Sequence, residues 1–233
     1  MVKDVFLDKR DTSDLKQLDN SRKKLFGRTT IIETTDLGSG AGNKAYTTIL
    51  SQLGKLARQR SLNKKSLHLV FKLVWHFKPD NILEFGTAAG VSASYIGKAY
   101  QFKKFVTMEG CAVLASHARE YLNTLNLTSV EIKVGNFDAI LDKTLKEFKQ
   151  LDLVFVDGNH RKDQTLLYFK KCLSKAHDNS IFIFDDIHWS PDMAEAWQLI
   201  IENEVVTLTI DLFKIGIVFL RKDMAKQQLV IRY

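Results

Sequence analysis

The sequence predicts an α/β domain on a mostly parallel sheet, and two features of residues 81–220 support this prediction. Short β-rich runs alternate with amphipathic helical stretches from residue 81 onward, which is the pattern of βαβ units. The last two β-rich runs lie too close together for a crossover helix, so they must pair antiparallel. A chain of 233 residues, of which 45% are hydrophobic, is long enough to bury one core of this kind.

Each element follows from its own pattern. Five β-rich runs are the predicted parallel strands: Asn81–Phe85, Lys104–Glu109, Val130–Val134, Leu151–Asp157 and Ser180–Asp185. The predicted helices between them include Ala88–Tyr100, Val113–Asn123 and Asp163–Lys175. A further helix starts near Pro191, and the predicted antiparallel hairpin consists of Val205–Leu212 and Lys214–Leu220. The two cysteines, Cys111 and Cys172, are too few for a disulfide framework and are predicted to be buried thiols.

The first 80 residues differ from the rest of the chain in charge, and we predict that they form a helical cover. They hold 16 Lys and Arg against 8 Asp and Glu, a net charge of +8, whereas residues 81–233 hold 18 against 19. Ser61–Phe77 has the apolar spacing of an amphipathic helix. The basic residues indicate either solvated helix faces or a lid that favours an acidic acceptor or an anionic surface. The predicted boundaries are 1–78 for the cover, 79–222 for the main domain and 223–233 for a tail.

A strand followed by glycines also occurs within the cover. Thr29–Thr35 is a candidate strand, and Gly38, Gly40 and Gly42 follow it. A nucleotide site of this kind needs an acidic residue after a second strand, but no Asp or Glu lies between Asp36 and Asp80, and no second β-strand is predicted before the long basic helix. We therefore interpret these glycines as a flexible turn.

Residues 81–92 have the pattern of a cofactor-binding strand, turn and helix. Gly86 and Gly90 let the backbone of the turn, which includes Thr87, pass close beneath a ligand. Glu84 at the strand end can accept from an ammonium group, and Ser92 near the helix start can bind a carboxylate. The spacing G-x-x-x-G differs from the G-x-G-x-x-G of dinucleotide sites, which argues against NAD.

The next two strands supply further predicted cofactor contacts. Glu109 closes the second strand, 23 residues after Gly86, where a carboxylate binds the two ribose hydroxyls. Asn136 and Phe137 follow the third strand, where they are predicted to bind the edge and the face of an adenine ring.

Acidic residues end the fourth and fifth strands, and the carboxyl ends of parallel strands meet in one crevice. Asp157, Asp185 and Asp186 are therefore predicted to converge as hard oxygen ligands for Mg²⁺, with Asp157 also bordering the cofactor. The alternative is that Asp185 and Asp186 only cap the next helix. His160 lies three residues after Asp157 and is the predicted general base.

These motifs resemble the metal-dependent class I O-methyltransferases over about residues 80–222. The resemblance rests on residues 84–90, Glu109, the run Asp157-Gly-Asn-His160 and the pair Asp185-Asp186, and it is closest to enzymes that methylate macrolide and aminocoumarin sugars. It implies a Rossmann-like class I methyltransferase sheet, distinguished by its C-terminal antiparallel hairpin, that binds S-adenosylmethionine and methylates a small-molecule or sugar hydroxyl. Catechol-type enzymes carry Asp-Asn and Lys at the positions of Asp185-Asp186 and His160, which argues against an aromatic diol acceptor.

Two other functions stay open at this point. The net charge of +7 suits an RNA methyltransferase, but the fourth strand lacks the Asn-Pro-Pro-aromatic loop of base-amino methylators. The second alternative is a non-catalytic protein that only binds S-adenosylmethionine. We expect a small-molecule acceptor rather than nucleic acid, a cytoplasmic location and no membrane span, since no apolar run approaches about 18 residues. A homodimer is compatible with the sequence, which does not determine the oligomeric state.

Overall fold

The computed structural model describes residues 5–8, 12–36, 47–223 and 225–232, which form two compact units. Residues 1–80 and 87–137 belong to the first unit, and residues 81–86 and 138–233 belong to the second. The predicted glycine turn at Gly38, Gly40 and Gly42 lies outside the described residues. No helix in the described ranges is long and apolar enough to cross a membrane.

The elements alternate between helix and strand through most of the chain. In order they are α1 (Ser13–Phe26), β1 (Ile31–Asp36), β2 (Thr47–Gln52), α2 (Leu53–Gln59), α3 (Lys64–Phe77), β3 (Asn81–Phe85), α4 (Val91–Ala99), β4 (Lys104–Glu109), α5 (Ala112–Thr124), β5 (Glu131–Val134), α6 (Phe137–Lys146), β6 (Leu151–Val156), α7 (Lys162–Leu173), β7 (Ala176–Asp185), α8 (Pro191–Glu202), β8 (Leu208–Asp211), β9 (Ile215–Phe219) and β10 (Gln227–Val230).

The first unit combines an antiparallel pair, β1 and β2, with a parallel pair, β4 and β5, and with helices α1 to α5. Local capping explains where its N-terminal helices begin: the Thr12 side chain accepts from Leu15 N–H, and the Asn63 side chain accepts from Ser66 N–H. Helix α3 ends at Phe77, because the capping residue Lys78 is left-handed and precedes a proline that disfavours further helix.

A buried polar network joins α1, α3 and α4 within the first unit. The carboxylate of Asp19, which is 8% exposed, accepts from Tyr95 Oη at 2.6 Å and lies 2.8 Å from Lys64 Nζ. His68 Nε2 lies 3.2 Å from the same carboxylate. Burial raises the pKa of Asp19, but the hydrogen bonds from Lys64, Tyr95 and His68 outweigh it and lower the pKa overall. This network ties the basic N-terminal segment to the helix that follows the 86–90 turn.

The second unit contains a sheet with the strand order β10-β8-β9-β7-β6-β3. Strands β3, β6 and β7 are parallel neighbours, whereas β9 runs antiparallel to both β7 and β8. The centre of this sheet is almost fully buried, as expected for parallel strands covered by helices on both faces. The carboxyl ends of β3, β6 and β7 therefore lie at one edge of the sheet, where Phe85, Val156 and Asp185 end their strands.

The predicted α/β class with parallel strands and a C-terminal antiparallel hairpin is confirmed. The strands predicted at 81–85 and 104–109 have the bounds of β3 and β4, whereas β7 begins at Ala176 rather than at Ser180. The candidate strand in the cover exists as β1. The prediction that no second strand follows it before the basic helix is wrong, because β1 pairs antiparallel with β2. Helix α6 and strand β10 were not predicted, and β10 pairs parallel with β8 within the segment predicted to be a tail. The predicted domain boundaries stay a prediction.

Candidate functional site

The turn after β3 requires glycine at its first position. Gly86 has φ of +91°, and a Cβ atom there would lie 1.9 Å from the carbonyl oxygen of Asp157. Asp157 N–H donates to the Phe85 carbonyl at 3.0 Å, which holds the ends of β3 and β6 together. Gly86 was predicted to let the backbone pass close beneath a ligand. In the structure, the close approach that requires glycine is to the backbone of Asp157.

In the first unit, the turn continues into α4 through two further left-handed residues. Ala88 has φ of +45° and Gly90 has φ of +82°, so the predicted helical start at Ala88 is wrong and α4 begins at Val91. Gly90 has no side chain to cap α4, which leaves the N–H groups of its first turn available to an anion. Ser92 lies in this first turn and is 8% exposed. The Thr87 hydroxyl is buried and hydrogen-bonded to the Thr107 hydroxyl at 2.6 Å.

Glu109 holds the same turn through both of its carboxylate oxygens. Oε2 accepts from Ala88 N–H at 2.8 Å, and Oε1 accepts from Cys111 N–H at 2.9 Å. Burial raises the pKa of Glu109, while these backbone donors lower it. Each carboxylate oxygen has a second lone pair, so the group can still accept from a ribose hydroxyl.

The remaining predicted cofactor residues differ in exposure. Glu84, the fourth residue of β3, is fully buried. Asn136 is exposed just before α6, and Phe137 is the first residue of α6 and half-buried. Asn136 and Phe137 are therefore accessible to a ligand, whereas Glu84 is not exposed in this conformation.

Asp157 and His160 lie together on the loop after β6. His160 Nε2 is 3.7 Å from Asp157 Oδ1, and both Asn159 and His160 have positive φ values, of 71° and 29°. The loop is anchored by Tyr168 of α7, whose hydroxyl accepts from Asn159 Nδ2 at 3.0 Å and donates to Asp138 Oδ1 at 2.9 Å. Burial lowers the pKa of His160, which keeps the imidazole neutral and able to accept a proton.

Asp185 and Asp186 share a lysine that the sequence analysis did not single out. Lys214 Nζ lies 3.8 Å from Asp185 Oδ2 and 3.5 Å from Asp186 Oδ1. Burial and the charge of Asp186 raise the pKa of Asp185 to about 7, although Lys214 lowers it. Burial also raises the pKa of Asp157 well above its usual range, and the charges of Asp185, Asp186 and Glu84 add to the effect. Asp157, Asp185 and Asp186, called the acidic cluster below, therefore lie within electrostatic reach of one another.

The acidic cluster has the oxygen donors of a magnesium site, but its side chains are not grouped around one point. Asp185 is 4% exposed, and its Oδ1 atom has no hydrogen-bond partner among the described residues. Such a buried oxygen fits a hard divalent cation, which prefers carboxylate ligands. In the described part of the chain, however, no three His, Cys, Asp or Glu side chains are grouped closely enough to hold a metal ion.

Two exposed aromatic side chains lie close in sequence to Asp186 and to Lys214, respectively. Trp189 is 71% exposed and Phe213 is 78% exposed, and the Phe213 ring lies 5.6 Å from that of His188. Asp211 organises this group, because it accepts from Phe213 N–H at 2.7 Å and pairs with His188 Nε2 at 2.8 Å. Lys214 is the first residue of the predicted second hairpin strand, which is the only signal for it in the sequence. The register of β7 and β9 places the next residue, Ile215, opposite Asp185.

Comparison with known proteins gives one family and several structural relatives. Residues 83–187 match the family model of a methyltransferase domain, which includes the 86–90 turn and the whole acidic cluster. No curated protein sequence matches the chain.

The solved structures that resemble this chain cover most of its length. An SAH-bound methyltransferase of Podospora anserina, PaMTH1, has 16% identity and a TM-score of 0.63, covering 91% of this chain and 89% of that one. A Bacillus cereus O-methyltransferase in complex with SAH has 18% identity and a TM-score of 0.61, covering 94% of each chain. The O-methyltransferase TomG of Streptomyces achromogenes, in complex with SAM, has 18% identity and a TM-score of 0.63, covering 94% of this chain and 95% of that one. At these identities, the TM-scores show that the chain shares the Rossmann-like fold of these structures.

Proposed function

We propose that the chain transfers the methyl group of S-adenosylmethionine to a hydroxyl oxygen of a small molecule or sugar, because residues 83–187 match the family model of a methyltransferase domain. The observation that carries this proposal is His160 Nε2, which lies 3.7 Å from Asp157 Oδ1, at the carboxyl edge of the sheet where the acidic cluster lies. Two of the structural relatives, the Bacillus cereus protein and TomG, are described as O-methyltransferases.

S-adenosylmethionine would be held by the residues around the 86–90 turn. In the first unit, Glu109 would accept from the ribose hydroxyls, the N-terminus of α4 with Ser92 would bind the carboxylate, and Asn136 and Phe137 would contact the adenine. In the second unit, Glu84 would attract the ammonium group after a local rearrangement, because it is fully buried as it stands. The expected affinity is micromolar, which corresponds to about −8 kcal/mol.

His160 is proposed to be the general base. The cofactor carries the electrophilic methyl group, so the protein has to align the acceptor hydroxyl and remove its proton. The proton would pass to His160 Nε2 as the acceptor oxygen bonds to the methyl carbon, while the electrons of the carbon–sulfur bond stay on sulfur. Asp157 beside the imidazole would stabilise the positive charge that results.

The acidic cluster is proposed to hold Mg²⁺ through Asp157, Asp185 and Asp186. The buried Oδ1 atom of Asp185 and the mutual charge of the three carboxylates support this assignment. When bound, the ion would orient the acceptor hydroxyl and lower its pKa. Trp189, three residues after Asp186, and Phe213, next to Lys214, supply exposed apolar surface suited to an acceptor with an apolar face.

Titration calorimetry with S-adenosylmethionine tests the first part of the proposal. Glu109→Ala should weaken binding at least about tenfold, a loss of about 1.4 kcal/mol. Glu120→Ala, on an exposed position of α5 in the same unit, is a matched control that should bind as tightly as the parent. If Glu109→Ala also binds as tightly as the parent, the ribose assignment is wrong.

Methyl transfer is tested with radiolabelled cofactor and acceptors identified by mass spectrometry of small molecules that co-purify with the protein. Label should pass to an acceptor oxygen, stop in the presence of a chelator and resume with added Mg²⁺. Full activity in chelator would remove the metal from the proposal. Cofactor binding without transfer to any co-purified acceptor would instead favour a non-catalytic binding protein.

A further inference from the structure

We infer that Lys214 is an internal cation that competes with a divalent metal ion for Asp185 and Asp186, so that metal binding requires its ammonium group to move away. The inference rests on the proposed metal site and specifies how this chain controls access to that site. Its basis is the position of Lys214 Nζ, 3.8 Å from Asp185 Oδ2 and 3.5 Å from Asp186 Oδ1.

The fold fixes the backbone of Lys214 at this position. The antiparallel register of β7 and β9 pairs Asp185 with Ile215, the residue after Lys214. The Lys214 carbonyl accepts from Ile187 N–H at 3.3 Å, and Lys214 N–H donates to the Leu212 carbonyl at 2.9 Å. The ammonium group is therefore delivered to the two carboxylates by the hairpin itself, through a side chain that carries four flexible methylene groups.

Lys214 compensates only part of the charge of the acidic cluster and leaves one of its buried oxygens without a hydrogen bond in the described part of the chain. One positive charge faces three carboxylates, and the Oδ1 atom of Asp185 keeps no hydrogen-bond partner among the described residues. An ammonium group has three donors and contacts one oxygen of each aspartate, whereas a divalent ion carries twice the charge and binds several oxygens at once. The site can therefore exchange the ammonium group for an ion of higher charge.

The exposures of the partners favour such an exchange. The Lys214 side chain is 39% exposed, whereas that of Asp185 is 4% exposed. Turning the lysine toward solvent leaves Asp185 without its cation, a cost that the charge of the incoming divalent ion offsets. Asp185 stays fixed at the end of β7.

The experiment measures binding of Mn²⁺, as a paramagnetic substitute for Mg²⁺, by electron paramagnetic resonance on the full chain. Lys214→Met removes the charge and keeps the length of the side chain, and Lys214→Arg keeps the charge. Lys171→Met is the matched control, because Lys171 pairs with Asp142 at 2.7 Å in the same unit. Lys214→Met should bind Mn²⁺ about two- to fivefold more tightly than the parent, the range for losing a partly exposed ion pair. Lys214→Arg and Lys171→Met should bind no more tightly than the parent.

The outcomes separate this inference from the proposed function. If the parent binds Mn²⁺ and Lys214→Met binds no more tightly, the inference is overturned and the metal site stands. If only Lys214→Met binds, the competition is supported and the parent works without a metal. If neither binds, both the inference and the metal site are overturned, while calorimetry with S-adenosylmethionine on the same samples still reports on methyl-donor binding and on folding. Adding Asp185→Asn to Lys214→Met should abolish the gain, which places the ion at the acidic cluster.

Discussion

Replacing Gly86 by alanine should be the most disruptive single-methyl change in the second unit. Gly86 has φ of +91°, and the added Cβ atom would meet the carbonyl oxygen of Asp157 at 1.9 Å and its carbonyl carbon at 2.9 Å. Both atoms belong to the backbone, so no side-chain rotation can relieve the contact. Either the end of β3 or the end of β6 has to move, and the hydrogen bond from Asp157 N–H to the Phe85 carbonyl lies at that point.

The magnitude follows from two contributions. A residue with a Cβ atom in the left-handed region costs about 1–2 kcal/mol. Forcing an extra carbon into packed surroundings costs about 1–3 kcal/mol more. We expect Gly86→Ala to lower the free energy of unfolding by about 2–5 kcal/mol, a large share of the roughly 5–15 kcal/mol of a typical domain. Because the clash moves Asp157, methyl transfer should fall even where the protein stays folded.

Two other glycines serve as controls in urea unfolding followed by circular dichroism. Gly90 has φ of +82°, but a Cβ atom there meets only Ala118, at 3.3 Å, so Gly90→Ala should cost about 1–2 kcal/mol. Gly27 has φ of −84° and its closest neighbour would be 3.5 Å away, so Gly27→Ala should be neutral or stabilise by up to about 1 kcal/mol. The reasoning is refuted if Gly86→Ala costs no more than Gly90→Ala.

Two further substitutions test the proposed base and the polar network of the first unit. His160→Ala should lower kcat by about 10²- to 10⁴-fold while the Kd for S-adenosylmethionine stays unchanged. His177→Ala is the control, because it removes a histidine that pairs with Asp152, and it should leave kcat near that of the parent. A His160→Ala enzyme that keeps most of its kcat would exclude His160 as the base. Asp19→Asn should destabilise the protein by about 2 kcal/mol at pH 7, measured by thermal unfolding. Folding lowers the pKa of Asp19, so its contribution to stability is complete above about pH 4 and is lost as the pH falls through its pKa in the folded protein. The free energies of unfolding of parent and variant should therefore converge in acid. A difference that stays constant down to about pH 2 would contradict this.

The sequence was most informative where local pattern decides the structure. The strands at 81–85 and 104–109 were predicted with their observed bounds, because their apolar residues are bounded by turn residues on both sides. The start of α4 was misplaced by three residues, since the left-handed conformation of Ala88 is imposed by Glu109 Oε2, which accepts its N–H from 21 residues away. Alanine gives no local signal for that conformation.

Residues whose role depends on strand register were harder to predict. Lys214 lay in a predicted hairpin strand, but only the pairing of Asp185 with Ile215 brings its ammonium group to the acidic cluster. Strand β10 also depends on pairing, because its four residues are exposed and form a strand through parallel pairing with β8. Apolar periodicity indicates which face of a strand is buried, but it does not identify the strand with which it pairs.

The strain and buried charge of the second unit are concentrated at one edge of its sheet. Asn159, His160, Asp186 and Phe213 have positive φ values there, and each costs of order 1–3 kcal/mol relative to ordinary backbone. The buried carboxylates of the acidic cluster add an unfavourable charge interaction that Lys214 offsets only in part. A stable fold requires neither the backbone strain nor the buried charge. Glycine at these positions would relieve the strain, and apolar residues would remove the charge. The proposed reaction would account for their coincidence at the carboxyl ends of β6 and β7, because a general base, a cation site and the acceptor hydroxyl would have to be held at fixed positions before the reaction begins.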